Sequence, residues 1–298
     1  MTAPTELTCA APGKLNVALF VGGIRESDGR HELVTVFQPV DLVDHLSARL
    51  DASLAADEVH CPGVEGDNLA ATALAAYRAE TGWDGPPIRI EIEKRIPIAG
   101  GMAGGSADAA AALRLAAAFA ADDDVARLER IAATLGADVP SQVQGRRVIA
   151  TGAGEQLRRS PSKPDWEAVL LPIDAALSAG AVYAEADRLN APRSAEEMEH
   201  LRTAVQQAER SGGVERAGLV INDLQDAARR LCPEVDDALN VLRAEGAEHA
   251  IVSGSGPTVA GLFAPGDGEA AALRIGANRR VRLAIPEHRA TLERPRWP

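Results

Sequence analysis

Three cysteines in 298 residues, Cys9, Cys61 and Cys232, set the first limit. They lie far apart, their number is odd, and no Cys-x-x-Cys or Cys/His cluster accompanies them. Neither a disulfide framework nor a zinc site is therefore encoded, and reduced, structural thiols are expected. Aromatic residues are scarce, at 3% of a chain that is 46% hydrophobic, so the core has to be built from small and aliphatic side chains, alanine above all. Positive charge is also short, with 31 Lys and Arg against 43 Asp and Glu and a net charge of −12. That excludes the basic stripes of a nucleic-acid surface or of an anionic-membrane surface. No apolar run approaches the ~18 residues needed to span a bilayer. No signal-peptide pattern precedes the first apolar segment, so a cytoplasmic protein is expected. Small molecules are the expected partners, since they need only local positive charge; monomer and homodimer both stay open.

What the chain does have is glycine in one place. Pro97-Ile98-Ala99-Gly100-Gly101-Met102-Ala103-Gly104-Gly105-Ser106-Ala107 carries four glycines in six positions, between a strand-like run and an alanine-rich helix. Glycines let the backbone turn, and approach a ligand, where a Cβ would clash. Ser106 stands where a helix N-cap is expected, with free N–H groups behind it. Such a helix start attracts anions, phosphate first. The expectation is a loop that wraps the phosphates of a nucleotide.

Elsewhere, Leu7–Ala10 and Val17–Val21 read as two strands with a bend or bulge at Pro12-Gly13. Lys14 and Asn16 are two apart and share a face of an extended chain, which fits a phosphate or polar-substrate contact and equally a lysine reaching out from a sheet edge. His31 leaves a turn built on Asp28-Gly29 and fits either a ligand edge or a strand cap. Asn68 caps a helix that Gly82 stops. Ile88 to Glu93 alternates as a half-buried strand. Helices are expected from Ala107 to Ala121 and from Asp124 to Leu135. Asp138 follows the second of these as either a reactive carboxylate or a turn former. A domain boundary is expected in Arg158 to Asp165, dividing the chain into 1–160 and 161–298. The second half reads as a strand at Val169 to Ile173, several helices, including a short one at Glu215 to Gly218, and the pair of strands around Ser253-Gly254-Ser255-Gly256. That glycine turn fits an anion nest or a plain hairpin. A last strand is expected at Arg279 to Ile285, followed by a loosely ordered tail.

The glycine stretch is neither a Walker A loop, because Ser106 stands where that motif needs Lys, nor a Rossmann fingerprint, because the glycines come as doublets. It resembles the glycine loop of the GHMP kinases. Ala11-Pro12-Gly13-Lys14 is similar to the N-terminal motif of that superfamily, and Ser253-Gly254-Ser255-Gly256-Pro257-Thr258 to its C-terminal glycine motif. Pro12 to Asn16, Asp28 to Leu33, Val40 to Asp44, Leu135 to Pro140 and Asn222 to Leu224 narrow the resemblance. They are similar to the members that phosphorylate the 2-hydroxyl of a diphosphocytidyl-methylerythritol in the non-mevalonate isoprenoid pathway. The likeness runs from about Ala10 to about Ala290.

The resemblance implies an α+β, two-domain fold, with a ribosomal-protein-S5-like N-terminal domain, a ferredoxin-like C-terminal domain and a site between them. It implies ATP and Mg²⁺. Lys14 and Asp138 match the catalytic pair: Asp138 orients the hydroxyl and accepts its proton, and Lys14 keeps Asp138 ionised and offsets charge on the transferred group. Pro97 to Ala107 match the nucleotide loop, with Ser106 on phosphate or metal. Asn16, Arg30, His31 and Tyr183 match substrate positions. Two of these neighbourhoods depart from the family pattern. Arg30 replaces a stacking tyrosine, and Ser178-Ala179 replaces Ser-Thr. Another GHMP kinase, acting on homoserine, a sugar or a mevalonate derivative, and a non-catalytic relative are the competing readings; retention of both Lys14 and Asp138 argues against the last.

Overall fold

A computed structural model describes residues 4–175, 177–277 and 279–286. The first half is organised around two long paired strands, β1 (Glu6–Ile24) and β2 (His31–Leu50). The expected break at Pro12-Gly13 is a register shift between Pro12 and Lys14, and a second shift lies between Asn16 and Ala18. The strand bulges without ending, so two expected strands are one. The bulges bracket Lys14 and Asn16 and re-aim them, which is what an extra residue in a ladder does.

Along its other edge β2 pairs with β4 (Ile88–Glu93) through His45–Leu50 and with β5 (Val148–Gly152) through Leu33–Phe37. β3 (Glu58–His60) and β6 (Gln156–Arg159) complete a six-stranded sheet. Neither outer strand is evident in the sequence: one is three residues long, and the other is polar and exposed along most of its length. Against this sheet lie α1 (Leu69–Thr81) and α2 (Gly104–Phe119), and α3 (Val125–Leu135) and α4 (Val139–Gln144) pack on those helices. α1 has the expected caps: Asn68 accepts from the Ala70 N–H at 2.9 Å, and Gly82 closes the helix in the left-handed region. α2 is buried on nearly every side, as an alanine-rich helix with no charged stripe has to be. The three cysteines are free and buried.

The chain then crosses into a four-stranded antiparallel sheet, ordered β10-β7-β9-β8, from β7 (Glu167–Leu171), β8 (His249–Val252), β9 (Val259–Phe263) and β10 (Arg282–Ala284). Its helices are α5 (Ala179–Arg188), α6 (Ala195–Arg210), α7 (Gln225–Leu231), α8 (Glu234–Ala244) and α9 (Asp267–Gly276). The short helix expected at Glu215 to Gly218 is a turn. α9 has no side-chain cap and holds a glycine at each end, so its start is marked only by the acidic Asp267 and Glu269 of its first turn. One apolar cluster joins Phe20, Val34 and Val36 of the first sheet to Met198 and Val205 of α6 and Leu170 of β7, so the halves share a core. The tail beyond Pro286 lies outside the described residues.

Candidate active site

Two glycine-rich segments and the bulged part of β1 meet in a cavity of about 600 Å³. Lys14 is 4% exposed and Asn16 3%, so the lysine is not reaching out from a sheet edge. The Lys14 Nζ donates to Asn16 Oδ1 at 2.5 Å, Asn16 Nδ2 donates to Thr35 Oγ1 at 2.9 Å, and Thr35 Oγ1 donates to the Ala18 carbonyl at 2.6 Å. This chain of buried bonds fixes the ammonium, which also lies 4.8 Å from the centroid of the Phe37 ring. Asp138 approaches from the opposite wall, its Oδ2 3.6 Å from Lys14 Nζ. That distance is an ion pair but no hydrogen bond, so both groups keep capacity for a third. Asp138 occupies the N-cap position of α4, yet its side chain makes no capping bond. Its backbone carbonyl instead accepts from Ser141 Oγ at 2.7 Å. The carboxylate is free for chemistry and is not spent on a turn.

The glycine loop differs from expectation at its helix start and in which of its residues face the cavity. Ser106 is not the N-cap of α2. The helix begins at Gly104, and the cap is Ala103, in the left-handed region at φ 54° with no side-chain cap bond. Glycines at 104 and 105 tolerate the helix well enough at its first turn to extend it backwards. Ser106 then lies inside that turn and lines the cavity. With Ala103 at the cap, no side-chain oxygen caps the N–H groups at the mouth of α2, an arrangement that suits an anion. Pro97, Ile98, Ala99, Gly100, Gly101, Ala103, Gly104 and Gly105 also line the cavity, whereas Met102 and Ala107 are turned into the core. The Met102 carbonyl accepts from the Lys14 N–H at 3.1 Å and ties the loop to β1.

The second glycine turn reaches the same place. Gly101 has φ +76°, and a Cβ there would meet the Ser253 carbonyl at 2.1 Å. Ser253 Oγ donates to the Gly101 carbonyl at 3.1 Å. A Cβ on Gly254 would lie 3.2 Å from Asn16 Oδ1 and 3.7 Å from Lys14 Nζ. Asn222 holds this turn, donating to the carbonyls of Val252 and Gly254 at 2.9 and 2.7 Å.

Two cavity residues escape the sequence reading. Lys94 Nζ bridges Asp44 Oδ2 at 2.5 Å and Asp108 Oδ2 at 2.7 Å, just behind the glycine loop. Asp44 Oδ1 accepts from the N–H groups of Arg95 and Ile96, fixing the segment that leads into the loop. Asp108 Oδ1 is buried and has no hydrogen-bond partner. Burial raises the Asp108 carboxyl to about 7, against the pull of Lys94. The signal was present: a lone carboxylate inside an alanine helix needs a cation.

The substrate-side residues divide. Tyr183 lines the cavity, and burial, with the Asp138 charge second, pushes its phenol up to about 12. His31 stacks on Tyr183 with ring centroids 5.2 Å apart and 21° between planes. Arg30 does not line the cavity; its exposed guanidinium folds onto Asp28. Ser178 caps α5 through the Ala181 N–H at 3.2 Å and lines the cavity as well.

Comparison with known proteins identifies related chains. GHMP kinases N terminal domain matches residues 68–146, and GHMP kinases C terminal matches 214–280. The chain is 41% identical over 281 residues to 4-diphosphocytidyl-2-C-methyl-D-erythritol kinase of Thermobifida fusca, covering 90% of each chain. It is 39% identical over 293 residues to the enzyme of that name from Streptomyces avermitilis, covering 94% of this chain and 96% of the relative. A crystal structure of 4-(cytidine 5'-diphospho)-2C-methyl-D-erythritol kinase superposes with TM-score 0.74 at 33% identity, over 93% of this chain and 98% of the other. Homoserine kinase from Cytophaga hutchinsonii, at 16% identity and TM-score 0.67, shares the fold. The chain belongs to the GHMP kinases and, within them, to the 4-diphosphocytidyl-2-C-methyl-D-erythritol kinase family.

Proposed function

We propose that the protein transfers the γ-phosphoryl group of ATP to the 2-hydroxyl of 4-diphosphocytidyl-2-C-methyl-D-erythritol. The observation that carries this reading is the 3.6 Å approach of Lys14 and Asp138 beside the mouth of α2. Phosphoryl transfer asks little covalent chemistry of a protein and much alignment and charge stabilisation. Asp138 is the residue that orients the hydroxyl and takes its proton as the oxygen attacks phosphorus. The Lys14 ammonium has three donors. One is committed to Asn16 and one faces Asp138, which leaves the third for an oxygen of the group in transit.

The first turn of α2 and the Gly254 turn are shaped to hold the triphosphate through backbone N–H groups, with no loop lysine. Their glycines leave open the space that Cβ atoms would fill. Among the described residues no group of three or more His, Cys, Asp or Glu side chains could hold a metal alone. The Ser106 hydroxyl, on the cavity wall, would be the protein's ligand to nucleotide-borne Mg²⁺, which would supply charge neutralisation. Residues 1–160 would supply the nucleotide side, with Lys14 and Asp138, and residues 161–298 would contribute Tyr183 and the Gly254 turn. We place the enzyme in the cytoplasm, acting on a small molecule, as a monomer or homodimer.

The test is phosphate transfer by the purified protein with ATP, Mg²⁺ and the cytidyl substrate, set against homoserine and mevalonate. Turnover of the cytidyl substrate alone is expected. Asp138→Asn is expected to lower kcat by about 10³-fold while ATP affinity stays nearly intact. Equal loss of both would remove Asp138 from the assigned role.

A further inference from the structure

His31 is gripped from both ring nitrogens. Its Nδ1 lies 2.8 Å from the Gly22 carbonyl. A carbonyl only accepts, so that nitrogen carries the proton. Its Nε2 lies 3.3 Å from Asp187 Oδ1, an ion pair that forms when this nitrogen carries a proton as well, and the side chain is only 10% exposed. The face of the ring rests on Tyr183. Tyr183 and Asp187 are four apart on α5 and so project from the same side of that helix. One helix of the second half therefore supplies the plate against which the imidazole lies and the clamp that stops it turning. The Gly22 carbonyl supplies the opposing grip from the first half. Arg30, the neighbour that could have covered this corner, is folded outward onto Asp28.

We propose that Asp187 is a positioning residue for pyrimidine recognition, holding His31 against Tyr183 so that the stacked pair is set for the nucleobase of the acceptor. The inference rests on the reading that the acceptor is a cytidine diphosphate ester. A ring free to turn about its Cβ–Cγ bond would have to be ordered at each binding event, and that ordering subtracts from affinity. Asp187 is 41% exposed, so solvent screens its charge. What it contributes is the direction of the imidazole, and the effect belongs in recognition of the base, away from phosphoryl transfer.

The experiment compares Asp187→Ala and Asp187→Asn with the unaltered chain, in steady-state kinetics with the cytidyl ester and its uridyl counterpart. Asp187→Ala is expected to raise KM for the cytidyl ester about fivefold and to narrow the preference for cytidyl over uridyl, with kcat and KM for ATP within about twofold. Asp187→Asn keeps an oxygen in place and is expected to restore most of the loss. An unchanged KM and preference in Asp187→Ala overturns the proposal. So does a matched fall in kcat and ATP affinity, which would mark a general loosening of α5. If the unaltered chain fails to phosphorylate the cytidyl ester while remaining folded by circular dichroism, the functional reading itself falls and the proposal with it.

Discussion

Two buried clusters in this molecule have the same formula, one cation between two carboxylates, and opposite characters. Arg147 sits where the halves meet. It donates from Nε and Nη2 to both oxygens of Glu209 at 2.7 Å, and from Nη1 and Nη2 to Glu215 at 3.0 Å. Gln38 takes a further bond from Nη1, and Ser160 and the Val214 N–H complete Glu209. Lys94 sits behind the nucleotide loop and reaches Asp44 and Asp108 through a single nitrogen, leaving one Asp108 oxygen unpartnered. The guanidinium fork saturates two carboxylates and a point charge cannot. The electrostatics follow. Burial works to raise the Glu209 carboxyl, but Arg147, Ser160 and Val214 more than reverse it, and it lies below the ordinary Glu value. Asp108 is raised despite its lysine. A saturated ion cluster joins two halves, whereas an unsaturated one beside a cavity keeps capacity that the fold itself does not use.

The contrast is broken most forcefully at Arg147. Arg147→Met leaves Glu209 and Glu215 buried with no cation, and a loss of about 4 kcal/mol in urea unfolding is expected. A loss below about 1 kcal/mol would mean that the junction is relaxed or hydrated. Acid titration sharpens the same side. The folded value of Glu209 is depressed, so its stabilisation is fully present above the ordinary Glu value of 4.5 and is lost as pH falls through the lower folded value. Urea midpoints from about pH 5 to about pH 3 are therefore expected to fall more steeply for the unaltered chain than for Glu209→Gln. The smallest effect belongs to the other cluster. Asp108→Asn removes a carboxylate that burial already disfavours and leaves Asp44 on Lys94, so stability is expected to change by less than about 1 kcal/mol. A loss as large as that of Arg147→Met would erase the distinction between the two clusters.

Much of the site was legible because its chemistry is written in local patterns. Glycine doublets ahead of an apolar helix mark the loop that lines the cavity, and the alternation of Ile88 to Glu93 fixes a strand to the residue. Lys14 and Asn16 share a face because they are two apart in an extended chain, and a bulge on each side preserves that. Ser106 was misplaced because cap preference favours serine over alanine, whereas tertiary packing set the cap three residues earlier at a left-handed Ala103. Lys94 and Asp187 were passed over for a different reason. Each acts on a partner remote in sequence, Asp108 or Asp44 for one and His31 for the other, and no periodicity encodes such a pairing. β3, β6 and α9 escaped because short, polar or glycine-flanked elements take their shape from the neighbours that hold them.

The contact of Gly101 with Ser253 has a consequence for how the protein can evolve and be engineered. The two segments are 152 residues apart, yet they touch backbone to backbone, without the room even for a methyl group. The seam works as a keyed joint, in which the glycine loop of the N-terminal half and the glycine turn of the C-terminal half share one fitted contact. A chain severed between its two sheets would therefore yield a front half that holds Lys14 and Asp138 but grips triphosphate poorly until its other fragment is added back.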